Sequence, residues 1–180
     1  MINVGSGRNK IVYSDMIPIR EEDEVETHLI VAMTKDRVIG NGNALPWHIP
    51  DEMKLFKDLT MGNVVIMGYN TYKSIPNNYL EGRTNIVITK KKINDDRIET
   101  FTTITRALQH IDKGNKVFFI GGAMLYEAVV NKVMYMHIST IKEDYKGNKY
   151  MPYIDYDDYV LMNTKYYPEF DYRMYKHKVF

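Results

Sequence analysis

A chain of 180 residues with no cysteine, and with 24 basic against 23 acidic side chains, excludes a disulfide scaffold and a thiolate metal site and gives no electrostatic case for nucleic acid as main partner. Hydrophobic residues make up 44% and charged residues 26%, which suits one globular domain with its own core. No run approaches the ~18 consecutive apolar residues of a membrane span, and the start lacks a secretion signal, so a cytoplasmic protein without a membrane partner is expected.

Residues 1–26 read as an N-terminal extension, an arm or linker, with an acidic run at Glu21-Glu22-Asp23-Glu24 and Glu26. The stretch from Ile11 to Ile19 offers the alternative of an added strand or a contact with a partner. Gly5-x-Gly7 is no dinucleotide fingerprint, since no third glycine, strand or helix supports it. Residues 27–180 read as one catalytic domain. Leu29 to Met33 is an apolar run of strand length, and a polar, glycine-containing loop follows from Thr34 to His48. Pro50 opens a helix at a position where its missing N–H costs nothing, and Met53, Phe56 and Lys57 share a face of it. Val64 to Met67 is a second strand ending at Gly68; Asn70 to Ser74 fits a short helix. Asn85 to Thr89 is a third strand, Thr103 to Lys113 a helix capped by Thr103 or Thr105, and Val117 to Ile120 a fourth strand ending at Gly121-Gly122. A helix runs on through Tyr126 to Val130, Met134 to Ile141 is a fifth strand, and Val160 to Phe180 forms two strands joined at Pro168 to Asp171. The expected fold is α/β: a mostly parallel, doubly wound central sheet with helices on both faces and an antiparallel C-terminal edge.

Two features point to ligand binding. Gly68 and Gly121-Gly122 stand at the carboxyl ends of strands, where open α/β sheets bind ligands, although glycine ends many strands for steric reasons alone. Glu52 lies early in a helix beside Met53 and Phe56. An apolar wall would raise its pKa, while a glutamate there also suits the helix dipole, and the pattern leaves both readings open. His28, His48, His110, His137 and His177 show no metal-ligand spacing, so no metal is expected.

The run Asp36-Arg37-Val38-Ile39-Gly40-x-x-Asn43-Ala44-Leu45-Pro46-Trp47 resembles the opening segment of dihydrofolate reductases. Pro50-x-Glu52-x-x-x-Phe56-Lys57 continues it, followed by Val65-Ile66-Met67-Gly68-x-x-Thr71-Tyr72-x-Ser74-Ile75-Pro76, Leu80-x-Gly82-Arg83-x-Asn85 and Ile120-Gly121-Gly122-Ala123-x-x-Tyr126. Blocks in this order and spacing, covering the chain from about Leu29, are specific where any one could be chance.

The resemblance implies hydride transfer from NADPH to pterin C6 with protonation at N5, in service of tetrahydrofolate and thymidylate synthesis. It implies dihydrofolate and antifolate-type small molecules as ligands, and a monomer whose extension mediates any further contact. Glu52 would take the pterin 2-amino group and N3, two adjacent donors that one carboxylate can accept together. Ser139 aligns with a threonine that hydrogen-bonds the acid. Trp47, the only tryptophan, would sit beside the pterin through an ordered water, or simply pack in the core. Ile30, Ala32, Met53, Phe56, Ile75, Ile120 and Tyr126 map to the substrate pocket, and Arg83 to the arginine gripping the glutamate tail. Tyr79 and Leu80 compete for one pocket position.

For the cofactor, Ala32 and Ile39 map to nicotinamide contacts, Tyr126 maps near the ring, and Asn43, Ala44, Tyr69 and Leu125 map to the cofactor site. Gly68, Thr71, Gly121, Gly122 and Ala123 map around the diphosphate, Gly121-Gly122 at a peptide usually cis in the family. The loop from Thr34 to His48 maps to a mobile lid. Tyr69 and Met124 stand where many members carry arginine. Thr89, Lys90 and Lys91 remain for the 2′-phosphate, so NADPH is expected with NADH as a weaker substitute. A pyrimidine reductase of riboflavin synthesis on the same fold would lack Glu52 and the Trp47 context; a non-enzymatic scaffold would not need Glu52, Trp47, Gly121 and Arg83 together.

Overall fold

The computed structural model describes residues 25–42 and 44–180. The Ile11 to Ile19 stretch, the acidic run up to Glu24, and Asn43 lie outside the described residues. The strands are β1 (Glu26–Thr34), β2 (Val38–Gly40), β3 (Val64–Gly68), β4 (Thr84–Ile88), β5 (Ile98–Phe101), β6 (Lys116–Phe119), β7 (Tyr135–Ile141), β8 (Lys149–Tyr150), β9 (Tyr159–Tyr166) and β10 (Phe170–His177). The helices are α1 (Pro50–Thr60), α2 (Tyr69–Ser74), α3 (Ile104–His110) and α4 (Ala123–Val129).

The main sheet is 8-stranded, in the order β5-β4-β3-β6-β1-β7-β10-β9. Strands β5 to β7 in that order pair in parallel; β10 is antiparallel to both β7 and β9. This is the expected α/β sheet with its antiparallel C-terminal edge. The central strands carry apolar side chains on both faces, because helices or loops cover both. Leu29, Val31 and Met33 of β1 pack with β6, α3 and α4. Ile30, one residue out of phase, packs with Val65, Val87 and Phe118 on the other face, against Phe56 and Leu59 of α1.

Several boundaries differ from the sequence expectation, each for a local reason. Glu26, read as part of the acidic arm, opens β1, with Val25 buried before it. The short strand β5 was not expected: Glu99 and Thr100 are exposed at the sheet edge, so its residues lack an apolar run. Helix α3 stops at His110 rather than Lys113, since Ile111 turns extended and Gly114 follows at φ 85. Thr103 is its cap, accepting from Arg106 N at 3.2 Å. The loop after β1 is partly strand: β2 pairs with β8, and Asn148 Oδ1 accepts from Gly42 N at 2.8 Å. Gly147 packs so closely on the Gly40 carbonyl that no Cβ fits there.

Candidate active site

The carboxyl ends of β1, β3 and β6 open into one large cleft of about 1240 Å³ between α1 on one side and α2 and α4 on the other. Helix α1 begins at Pro50, whose ring presets the first turn, and Asp51 and Glu52 fill that turn where negative charge suits the helix N-terminus. Glu52 lines the cleft with Met53 and Phe56. Burial pushes its carboxyl from an ordinary 4.5 up to about 7. Of the two sequence readings of Glu52, the apolar wall therefore governs.

Opposite stands Tyr126 of α4. Its hydroxyl lies 2.7 Å from the Ile30 carbonyl and 2.9 Å from the Ile120 carbonyl, donating its one proton between them. Burial first, and the negative charge of Glu52 second, push its ionisation far above the usual phenol range, so it stays neutral. Ile30, Ala32, Ile75 and Ile120 complete the apolar lining. Arg83 stands at the rim, with Nε bonded to the Glu81 carbonyl at 3.0 Å and Nη1 to Thr60 Oγ1 at 3.1 Å. Partial burial lowers its pKa, and no carboxylate pairs with it among the described residues, an arrangement ready for a ligand carboxylate. Tyr79 and Leu80 both line the cleft.

The second half of the cleft is backbone. Gly68 N donates to the Gly121 carbonyl at 2.8 Å, clamping β3 to the end of β6. The Gly121–Gly122 peptide is cis. Gly121 has φ +119, and a Cβ there would meet the Tyr126 hydroxyl at 3.3 Å; a Cβ on Gly122 would meet Thr71 Oγ1 at 3.5 Å. Bare backbone along Gly68, Gly121 and Gly122 beside Thr71 fits the close approach of a dinucleotide diphosphate. Ile39, Ala44, Tyr69, Ala123 and Leu125 line the same half, so the structure brings these expected cofactor residues together.

Four expected residues stand elsewhere. Trp47 is buried behind the cleft with Ile49, Ile141, Phe170 and Tyr172. Its Nε1 has no protein acceptor, which suits a donor kept for a ligand or an ordered water. Ser139 is buried on β7 in register with Ala32. The expected hydrogen bond from Ser139 to Glu52 is not formed among the described residues: Ser139 is outside the lining, and burial alone accounts for the acid's shift. Thr89 and Lys90 line a separate hollow of about 350 Å³ with Lys91, Lys92, Thr100, Thr102 and Arg106. Lys91 lines both spaces and lies 4.2 Å from the centroid of the Tyr69 ring.

Arg106 and Lys149, a second cation at the cleft, were not anticipated from sequence. Arg106 looks like any surface position of a short helix, and Lys149 belongs to a strand of two residues. Met124 is 82% exposed at the cleft.

The sequence model described as dihydrofolate reductase matches residues 26–180. The chain belongs to the dihydrofolate reductase family. The dihydrofolate reductase of Buchnera aphidicola subsp. Baizongia pistaciae is 34% identical over 129 residues, covering 71% of this chain and 78% of that one. The Staphylococcus haemolyticus enzyme is 33% identical over 132 residues, covering 73% and 79%. The Mycoplasma genitalium enzyme is 32% identical over 162 residues, covering 83% and 96%. A solved structure of dihydrofolate reductase from Enterococcus faecalis, complexed with NADP(H) and RAB-propyl, superposes with TM-score 0.78 over 85% of this chain and 96% of that one; at 23% identity it speaks to the fold.

Proposed function

We propose that this dihydrofolate reductase converts 7,8-dihydrofolate to 5,6,7,8-tetrahydrofolate with NADPH, as a cytoplasmic monomer supplying one-carbon metabolism. No helix among the described residues is long and apolar enough to cross a membrane. The observation that carries the reading is Glu52, a half-buried carboxyl held at about 7 in an apolar cleft. A group with that value exists in both protonation states near neutral pH, as a proton-transferring acid must.

When bound, the reduced nicotinamide supplies the hydride. Ionised, Glu52 would accept from the pterin 2-amino group and N3 and fix the ring; protonated, it is the store from which N5 gains its proton through water. Phe56, Met53, Ile30 and Ile75 pack on the ring and keep water from it. Tyr126, neutral and tied to the Ile30 and Ile120 carbonyls, would hold the cleft wall beside the nicotinamide. Ala32 and Ile39 would contact the nicotinamide, and Ala44 and Leu125 would line the cofactor's half of the cleft. Trp47 keeps an indole N–H without a protein acceptor, available to an ordered water, and Ser139 lies beside Ala32 on the neighbouring strand. Asn43 belongs to the same lid by sequence alone.

Arg83 takes the carboxylate of the substrate's glutamate tail. Arg83→Leu is expected to raise KM for dihydrofolate about 10- to 100-fold, as losing a charge-assisted pair implies, with kcat within a few-fold. An unchanged KM in steady-state assays would remove Arg83 from the substrate site. At the other end, the hollow of Lys90, Lys91, Lys92 and Arg106 holds cations and threonine hydroxyls without a carboxylate in its lining, so it favours a phosphate. Arg106→Glu is expected to raise KM for NADPH about tenfold while leaving KM for NADH near its wild-type value. Equal rises for both cofactors would argue against a role in their discrimination.

A further inference from the structure

Away from the cleft, Glu26, His28, His137 and Tyr172 touch end to end across β1, β7 and β10. Glu26 Oε1 lies 2.7 Å from His28 Nε2, His28 Nδ1 lies 2.8 Å from His137 Nε2, and His137 Nδ1 lies 2.7 Å from the Tyr172 hydroxyl. His28 is packed between the rings of Phe118, at 4.5 Å, and Tyr135, at 4.8 Å. Both histidines are buried, at 5% and 3% exposed. The Glu26 side chain is 34% exposed, so the chain of contacts reaches water at that end.

Counting donors leaves one neutral arrangement. An ionised carboxylate can only accept, so His28 Nε2 carries a hydrogen. A neutral His28 then has a bare Nδ1, which requires hydrogen on His137 Nε2. His137 Nδ1 is in turn bare and takes the Tyr172 O–H. Three protons, all pointing toward Glu26, satisfy four groups.

We propose that these four residues form a proton-ordered relay, and that uptake of one proton by His28 reverses its inner half and signals to the cluster beneath α1. With hydrogen on both nitrogens, His28 donates to Glu26 and to His137 Nε2. His137 must then carry its hydrogen on Nδ1 and donate to the Tyr172 oxygen, whose own hydrogen turns away. One proton is gained and no bond other than N–H changes.

Glu26 on β1 favours charge on His28, while Lys116 of β6 and burial oppose it; Tyr135 of β7 packs on its ring, with Lys176 of β10 at 5.9 Å from that tyrosine. His137 faces His28 and Tyr172, with Glu26 and Lys116 farther off. Burial holds both histidines below the ordinary 6.5, and His28 is the one bonded to the Glu26 carboxylate, so the proton belongs on His28. Histidines that resist charge in the folded state take protons preferentially when unfolded, so the relay withdraws stability as pH falls below 6.5. At the inner end, Tyr172 shares an apolar cluster with Trp47, against which Leu55 and Leu59 of α1 pack.

The experiment is imidazole nitrogen NMR on the full chain, with Trp47 emission followed over the same pH series. At pH 7.5 both histidines should be the Nε2–H tautomer. As His28 titrates, His137 should convert to Nδ1–H, and Trp47 emission should change with the same midpoint. Glu26→Gln should lower that midpoint by at least about one pH unit, since the carboxylate that stabilises the cation is gone. His137 remaining Nε2–H beside a charged His28 would overturn the relay, and wild-type spectra decide this even where a variant fails to fold. A Trp47 signal blind to the His28 titration would overturn the coupling to α1.

Discussion

Glu52→Gln is expected to lower dihydrofolate turnover at pH 7 by two to four orders of magnitude, the usual worth of a positioned proton donor. Glutamine keeps the length and one acceptor of the side chain, so dihydrofolate binding should weaken far less than turnover. The pH profile separates a proton role from a binding role. Turnover by the wild type should fall as pH rises through about 7, where the carboxyl ionises, and that limb should be absent in the variant. Wild-type turnover in Glu52→Gln would sink the assignment of the acid.

The same substitution has an opposite effect on stability. The folded carboxyl sits at about 7 against an ordinary 4.5, so the folded state holds its proton more tightly than the unfolded chain. The resulting stabilisation is complete below 4.5 and is lost as pH rises through about 7. By pH 9 the ionised acid costs the ligand-free fold at most on the order of 3 kcal/mol, less where water reaches the carboxylate. Glutamine does not titrate. Denaturant unfolding at pH 9 should show the variant more stable than wild type by about 1–2 kcal/mol, with the difference vanishing near pH 5.

Gly121→Ala should damage both fold and site. At φ +119 any side chain is strained, and the added methyl would press on the Tyr126 hydroxyl at 3.3 Å and its ring at 3.4 Å. A loss of about 1–3 kcal/mol is expected from the backbone alone. Displacement of Tyr126 should lower kcat/KM for both substrates by roughly 100-fold, since small misplacements at a reacting centre carry penalties of that size. Gly114→Ala is the matched control: its φ is +85, yet nothing lies within 4 Å of the added methyl. It should lose stability and keep kcat. Equal kinetics in the two variants would deny Gly121 any role beyond backbone conformation.

The central strands were legible because Leu29 to Met33, Val64 to Met67 and Val117 to Ile120 are apolar without alternation, the signature of strands covered on both faces. β5 was not, since half its residues face water at an edge, and β2 and β8 are too short to carry a period. Most of the cleft was legible through motifs that sit next to one another in sequence. What escaped was assembled from distant residues. Arg106 joins the Lys90 hollow only once α3 packs beside β4, and Ser139 stands beside Ala32 rather than against Glu52. His28 and His137 meet across 109 positions, a contact that no local pattern announces.

The place of β1 at the centre of the sheet also orders events during synthesis. Its two neighbours, β6 and β7, both come from the second half of the chain. At roughly 5–20 residues per second, the ribosome needs on the order of 5–20 s to make the stretch between β1 and β7. Leu29 to Met33 has no strand on either side until β6 is made and only one until β7 is made, while β3 and β4, close in sequence, can already pair. The nascent chain therefore presents an apolar segment before it can be covered, and chaperone contact during translation should concentrate there until Ile141 has emerged.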